Sequence, residues 1–358
     1  FNMIIHSKIK DYEVVMENNT DFLNDLCGLK DSQFVIDEKV YRLYSDKFSS
    51  IPEDRLILIE AIEHNKIIDT ALEICEKMTE IPAKRNATLI SVGGGIIQDL
   101  TGFVANILYR GIKWIFVPTT LLASSDSCIG GKTSLNYKKY KNLLGTFYPP
   151  DTIYVCPIFF DTLSEKDFKS GLGEVIKFNI MAGDTGLTNI ENNIDKLLIR
   201  DHKIVSEFVL SSLEYKSKFI EIDEFDRGER IKLNFAHTFG HAIEVVTNYC
   251  IPHGTAVAIG MIMADSISVK RGLLTDEVAN RSKQVLLKVI DIDVDLLNVD
   301  INDVIKAIRK DKKQTNDSLA AVLLANNKGL SELVIVYDMT IEEVKYSFES
   351  FFDDYTNK

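Results

Sequence analysis

The stretch LNFAHTFGHAIE, residues 233–244, places two of the chain's six histidines, His237 and His241, four positions apart. On a helix that spacing puts both rings on one face, where they can aim at one point. His253 follows one loop later, in IPHGTAVAIGM. Such a group suits a metal ion, a phosphate or a polar helix face. A glutamate joined to two histidines makes a catalytic zinc set with one coordination position open. SGLGEVIKFNIM offers Glu174, three residues before Lys177 in an otherwise apolar segment, and these charges are expected to face a cleft. His237, His241 and His253 all compete for the imidazole places. Any one of them alone reads more simply as a hydrogen-bonding side chain. Three within seventeen positions, two of them beside glycines, favour a site.

Two glycine-rich turns offer a second kind of chemistry. LISVGGGIIQDLTG (89–102) reads as strand, three glycines, helix, a junction where backbone can approach a pyrophosphate at a helix N-terminus. The dinucleotide pattern GxGxxG begins at Gly93 and Gly95 but meets Gln98 where its last glycine belongs. The plain alternative is a tight turn without a ligand. In SSDSCIGGKTS, a phosphate-binding P-loop needs glycine six residues before its lysine, and Asp126 stands there. The glycines here are instead expected to bring Lys132 and Thr133 close to a bound group. Arg110, Lys132, Lys141, Lys177, Lys216, Arg230 and the KDKK run at 310–313 complete a set of cations. Several lie beside glycines or on apolar segments, as phosphate or carboxylate recognition requires.

The elements that must position these groups divide in two. SQFVID (32–37), DRLILIE (54–60), ATLISV (87–92) and IKWIFVPTT (112–120) read as strands, and 66–80 and 97–108 as helices. Strands alternating with helices imply a parallel sheet covered on both faces. From about residue 160 onward a helical period dominates. The expected architecture is α/β plus α: a Rossmann-like α/β domain over 1–160 and a mostly α-helical domain over 161–358. The prolines of TFYPPDTIYVCP lie near the boundary, and a ligand cleft is expected between the domains. The C-terminal IEEVKYSFESFFDDYTNK reads as a final amphipathic helix with an acidic tail.

Bulk properties narrow the function classes. The 358 residues, 46% hydrophobic and 26% charged, are ordinary for a globular chain. A net charge of −12 argues against a nucleic-acid surface but permits a locally basic pocket. No apolar run approaches the ~20 residues of a membrane span. The N-terminal FNMIIHSKIKDYEVV lacks a signal-peptide layout, and five scattered cysteines suit a reducing compartment. The expected location is the cytoplasm, with no nucleic-acid or membrane partner.

GGGIIQDLTGFVA, YRGI, VPTTLLASSDSCIGGKTSLN, KNLLGTFYPP, GEVIK, RIKLNFAHTFGHAIE, PHGTAVAIGM and DKK follow one another here. In this order they resemble the 3-dehydroquinate synthases, members of the sugar phosphate cyclases and distant relatives of the glycerol dehydrogenases. The resemblance runs from about residue 32 to 330. It implies a metal site, Zn2+ or Co2+, on Glu174, His237 and His253. His241 then resembles a residue on the substrate-phosphate side that relays protons. NAD-binding positions match Asp37, Glu63, Lys66, Gly94, Gly95, Asp99, Thr119 and Thr120. Substrate positions match Asp126, Lys132, Asn142, Lys177, Lys216, Arg230, Asn234 and Lys313. Arg110 matches an arginine that crosses a homodimer interface to the phosphate.

The implied substrate is the anionic sugar phosphate 3-deoxy-D-arabino-heptulosonate 7-phosphate. The implied reaction is transient oxidation by NAD, β-elimination of phosphate, re-reduction and intramolecular aldol closure to 3-dehydroquinate. Other readings are a cyclase making 2-deoxy-scyllo-inosose, an aminodehydroquinate-forming variant, a polyol dehydrogenase, and a non-catalytic paralogue. Arg230 and Asn234 fit a carboxylate-bearing substrate, and the cation set exceeds what a neutral polyol needs. Some positions depart from the family pattern. Gln98 replaces a glycine and is expected to crowd the pyrophosphate side. Thr255 stands where HGE is usual, which removes an expected carboxylate behind the third ligand. FAH replaces FGH at 235–237, and Phe225 replaces an arginine. Together these suggest a divergent branch, with a pathway other than the shikimate route as one outcome.

Overall fold

The computed structural model describes residues 2–311, 318–327 and 330–357. They form two compact units, one of Phe1–Leu163 with Val205–Phe225 and one of Ser164–Ile204 with Asp226–Lys358.

The first unit is built on a seven-stranded sheet. In chain order its strands are β1 (Asn2–Ile5), β2 (Tyr12–Met16), β3 (Ser32–Asp37), β4 (Leu56–Ile59), β5 (Thr88–Gly93) and β6 (Lys113–Pro118). A hairpin, β7 (Lys132–Tyr137) with β8 (Tyr140–Phe147), intervenes before β9 (Thr152–Val155) returns to the sheet. The spatial order is β1-β2-β9-β6-β5-β3-β4, and only β1 runs antiparallel to its neighbour. Parallel strands covered on both faces should be apolar without alternation. β3 and β5 comply, each buried along nearly its whole length. Three short helices, α1 (Phe22–Cys27), α2 (Glu38–Leu43) and α3 (Ser45–Phe48), and two longer ones, α4 (Ile68–Met78) and α5 (Gly95–Ile107), complete the covering. From β3 the chain moves outward to β4 and then returns to β5 on the other side of β3. The order therefore reverses between β3 and β5, and their carboxyl ends carry Asp37 and Gly93. A reversal of this kind is where open α/β sheets bind ligands.

The second unit is mainly helical: α6 (Glu165–Met181), α7 (Asp184–Leu198), then, after α8 (His202–Ile222), α9 (His237–Val246), α10 (His253–Lys270), α11 (Asp276–Leu287), α12 (Ile301–Lys310) and α13 (Ile341–Thr356). Most of α8 clusters with the first unit. α10 is the central helix, packed against α6, α9, α11 and α13. It is apolar and buried nearly all round, as a helix enclosed by others must be. Two glycines set its crossing with α6. A Cβ on Gly173 would lie 2.1 Å from the Gly254 carbonyl oxygen, and one on Gly254 would lie 1.6 Å from that of Ser170. Each glycine adjoins a site residue, Glu174 or His253, so the close crossing brings those two together.

All four strands and both helices read from the first 120 residues are present, with ends within two residues of the expected ones. A hairpin of β10 (Leu319–Asn327) and β11 (Leu330–Met339) is added to the helical unit. β10 reads LAAVLLANN, a short apolar run whose period alone does not distinguish strand from helix. β8 is exposed along most of its length and carries no apolar alternation. Among the described residues, no helix is long and apolar enough to cross a membrane.

Candidate active site

In the second unit, α6 supplies Glu174 and Lys177, α9 supplies His237, His241 and Glu244, and α10 opens with His253. Glu174 is fully buried. Its Oε1 lies 3.2 Å from His237 Nε2 and 3.0 Å from His253 Nε2. Each ring is held from behind by an acceptor. His237 Nδ1 sits 3.0 Å from the Phe235 carbonyl, and His253 Nδ1 sits 2.8 Å from Glu244 Oε1. A carbonyl can only accept, so the His237 proton stays on Nδ1 and Nε2 presents a lone pair. One ligand atom from each of Glu174, His237 and His253 lies within 4.8 Å of the others. Two imidazole nitrogens and one carboxylate, with each histidine anchored through its other nitrogen, fit a divalent ion of the zinc type.

The electrostatics agree with that donor set. Burial alone would raise the Glu174 carboxyl, but the Lys177 ammonium and His237 hold it well below the usual range. Burial, helped by the Lys177 charge, pushes His237 down to about 4, against the pull of Glu174. His253 goes the other way. Burial opposes its charge, yet hydrogen bonds to Glu174 and Glu244 raise it to about 10. Lys177 is itself fixed, its Nζ 2.8 Å from Glu174 Oε2 and donating to the Leu233 carbonyl at 2.9 Å.

Three further candidates lie in this unit. His241 stands one turn beyond His237, partly exposed, with Nδ1 3.7 Å from Asp311. Arg230 is buried on the 3-10 turn Glu229–Asn234, and Asn234 ends that turn half-buried. Lys313 lies outside the described residues.

In the first unit the glycine turn has the form a phosphate needs. β5 ends at Gly93, Gly94 caps α5, and a Cβ on Gly95 would meet nothing within 4 Å. Thr119 donates its backbone N–H to the Gly93 carbonyl, and Thr120 Oγ1 accepts from Ala123. Asp37 caps α2 through Lys39 N, and its burial raises its carboxyl. Gly102 lets the β7–β8 hairpin sit on α5, since a Cβ there would lie 2.5 Å from Thr133 Cγ2. That contact places Ser134 and Asn142 over Asp99. Lys66 Nζ donates to Asp99 Oδ2 at 3.0 Å and to Asn142 Oδ1 at 2.6 Å, and Ser134 Oγ donates to Asn142 Oδ1 at 2.9 Å. Asn136 extends the network, donating to Glu63 Oε2 and accepting from Asn142 N. Burial raises Asp99 to about 6 despite Lys66. Three nucleotide candidates and one substrate candidate therefore share one network.

Lys216 on α8 reaches the turn Ala123–Ser127, donating to the Asp126 carbonyl at 2.6 Å and its carboxylate at 2.8 Å. Lys132 begins β7 with its side chain exposed, and Lys141 is exposed on β8. Arg110 is exposed on a left-handed turn after α5, with φ 64°.

Three departures from the family pattern acquire a physical account. Gln98 does not crowd the glycine turn. Its buried side chain donates to the Ser127 carbonyl at 2.6 Å and accepts from Ser127 Oγ at 2.9 Å, tying α5 to the turn that bears Asp126. The carboxylate missing at Thr255 is supplied by Glu244, seven residues after His237 and so on the same helix face. Phe225 packs edge-on against Phe147, with ring centroids 5.3 Å apart. The residues that sequence reading passed over, Glu244, Ser134, Asn136 and Ser127, act behind the candidates. For Glu244 the helical spacing was a usable signal. For Ser134 and Asn136 the signal was only their place in a polar loop.

Residues 56–170 match the profile described as 3-dehydroquinate synthase N-terminal, and 171–314 match the 3-dehydroquinate synthase C-terminal profile. A 3-dehydroquinate synthase of Dictyoglomus turgidum is 38% identical over 299 residues, covering 82% of this chain and 82% of its own length. The structure of 2-epi-5-epi-valiolone synthase from Streptomyces hygroscopicus subsp. jinggangensis 5008, with NAD+ and Zn2+ bound, superposes with a TM-score of 0.83 at 24% identity, covering 98% of this chain and 99% of that one. A 2-deoxy-scyllo-inosose synthase complexed with carbaglucose-6-phosphate, NAD+ and Co2+ gives a TM-score of 0.83 at 21% identity, covering 99% and 100%. At these identities the two structures speak for the fold alone.

Proposed function

This chain belongs to the 3-dehydroquinate synthase family, and from that premise we propose how its own residues carry the conversion of 3-deoxy-D-arabino-heptulosonate 7-phosphate to 3-dehydroquinate and phosphate. The observation that supports the reading most is the convergence of two anchored imidazole Nε2 atoms on Glu174 Oε1. Bound NAD would supply a reversible hydride acceptor, and a zinc or cobalt ion held by Glu174, His237 and His253 would supply Lewis-acid polarisation of substrate oxygens.

The protein's part is binding, charge and proton movement. Gly94 and Gly95 keep the first turn of α5 clear for a pyrophosphate, and Asp37, Glu63, Thr119 and Thr120 hold the rest of the nucleotide. Lys66 and Asp99, locked to each other, orient Asn142 toward substrate hydroxyls. Lys177, Lys216 and Arg230 present fixed positive charge to the phosphate and carboxylate, and Lys132 and Lys313 add to it. Charge held in place before the reaction needs no reorganisation as the phosphate departs. Asp126 fixes the Lys216 ammonium, and Asn234 orients the leaving group. His241, beside Asp311, carries protons between substrate and solvent. In this reading the enzyme works as a homodimer in the cytoplasm, and Arg110 on its exposed turn reaches the phosphate bound by a second copy.

The test is phosphate release. The protein, NAD and trace zinc are mixed with the heptulosonate phosphate and, separately, with glucose 6-phosphate. Release from the first alone, with no standing NADH absorbance, is the expected result. Release from glucose 6-phosphate, or accumulating NADH, would overturn the assignment.

A further inference from the structure

The β7–β8 hairpin is irregular at Asn136. Its ladder pairs Leu135 with Leu144 and Tyr137 with Tyr140, so Asn136 faces residues 141–143 with no partner in register. A bulge of this kind re-aims a side chain and recurs beside active sites. Here it turns Asn136 away from the hairpin and into the first unit. Asn136 is 8% exposed, and its backbone N–H donates to the Lys66 carbonyl at 2.8 Å. Its side chain spans two partners. Nδ2 donates to Glu63 Oε2 at 2.7 Å and to the Glu63 carbonyl at 3.3 Å, while Oδ1 accepts from Asn142 N at 2.9 Å. A carboxylate only accepts and a backbone N–H only donates, so the amide has one orientation. Aspartate at this position would set a like charge against Glu63, and alanine would reach neither partner.

The residue so held is itself unusual. Asn142 adopts φ 54°, in the left-handed region that L-residues seldom occupy, and the bond from its N–H to Asn136 fixes it there. Its side chain is fixed as well. The Lys66 ammonium can only donate, so Oδ1 must face Lys66, and Ser134 Oγ donates to the same oxygen. Both lone pairs of Oδ1 are then engaged. Nδ2 keeps its two N–H groups, which meet no acceptor among the described residues, and Asn142 is exposed. Toward a ligand it therefore offers donors only, which suits a hydroxyl, carboxylate or phosphate oxygen. Resting on the functional reading above, we propose that Asn136 is a positioning residue for the reaction: it ties the Asn142 backbone to Glu63 and Lys66, so that the Asn142 amide meets an oxygen of the sugar phosphate as an N–H donor. Asn136 acts through Asn142 and does not itself touch the substrate.

The test is a double-mutant cycle on the whole enzyme with NAD, zinc and the heptulosonate phosphate, read as kcat/KM for phosphate release. Asn142→Ala and Asn136→Ala should each lower kcat/KM about tenfold or more, the effect of losing one hydrogen bond to the substrate. Because Asn136 works through Asn142, the double variant should fall less than about threefold below the lower single one. A brace that merely stabilises the hairpin would leave the two losses to multiply. Thermal melts establish that the variants fold. Should Asn136→Ala not fold, Asn136→Asp, which keeps the volume and sets a like charge against Glu63, takes its place in the same cycle. Losses that multiply, or an unchanged kcat/KM in a folded Asn136 variant, overturn the proposal while the functional reading stands. Absence of phosphate release by the unaltered protein overturns that reading and the proposal with it.

Discussion

Glu244 Oε1 lies 2.8 Å from His253 Nδ1, so the last residue of the candidate metal set is held by a carboxylate from a neighbouring helix. The sequence position directly after Gly254, where a glutamate is usual in the family, holds Thr255 instead. The orienting group behind His253 therefore comes from α9, the helix that also carries His237.

With Glu174, His237 and His253 as the proposed metal set, that relationship predicts that Glu244 tunes metal affinity. Glu244→Gln should lower affinity for zinc about 10–100-fold, the usual cost of losing an outer partner of a ligating histidine. Competition with a chelator measures the affinity, and added zinc should restore turnover. A variant that melts earlier but binds zinc as tightly as before would reduce Glu244 to a packing role.

Ala236 adopts φ 67°, ψ −9° immediately before His237, a left-handed conformation that costs an L-residue about 1–2 kcal/mol. The family's usual FGH places glycine there. Ala236→Gly relieves that strain but gives up a buried methyl group and adds freedom to the unfolded chain. The terms nearly cancel, so its stability should stay within about 0.5 kcal/mol of the original. Ala242→Gly, buried on the same helix with ordinary helical geometry, should cost at least ~1 kcal/mol more, as read from denaturant melts. Equal losses would mean that the strain at Ala236 is absent.

Gln98 is tied to Ser127 by two hydrogen bonds. Gln98→Ala should destabilise the fold by about 1–3 kcal/mol and raise KM for the sugar phosphate, because the Asp126 turn loses its brace. NAD affinity, read by fluorescence titration, should not change. Tighter NAD binding in the variant would mean that Gln98 does obstruct the glycine turn.

Asp265 sets a pH dependence of stability. Its carboxyl holds a proton to about pH 8 when folded, against an ordinary value of 3.8. Folding therefore takes up a proton between those values. The contribution is complete below pH 3.8 and falls as pH rises toward 8, by up to about 1.4 kcal/mol per unit. Lys270, Asp276, Lys283 and Asp354 line one pocket with Asp265 between α10, α11 and α13 and are retained in Asp265→Asn. The difference between the two proteins' stabilities should thus shift in favour of the variant from pH 5 to pH 8. Parallel curves across that range would place Asp265 in contact with a donor.

Much of the fold was legible beforehand because periodicity reports burial. The continuous apolar runs of β3 and β5 and the helical spacing of α5 and α9 are direct consequences of which faces meet the core. The β7–β8 hairpin was not legible, because β8 is exposed without an apolar pattern and β7 buries polar Thr133 and Asn136 beside Leu135. Yet it contributes Ser134, Asn136 and Asn142 to the network around Lys66 and Asp99. The second carboxylate of the histidine cluster was also missed, although it stood in the quoted helix. A search limited to the position after His253 had no reason to look two turns along another element.

The sequence by itself determined the chemical inventory: an acid and three histidines in glycine-flanked segments, a three-glycine strand-to-helix turn, and cations where an anionic substrate would need them. Side-chain type and local period carry that information, because both are properties of neighbouring residues. The family resemblance already named His237 and His253 beside Glu174; only the tertiary structure decided which acceptor stands behind each ring and where Gln98 turns its amide. Those choices depend on helix crossings such as that of Gly173 with Gly254, set by contacts between residues distant in the chain that no local spacing encodes.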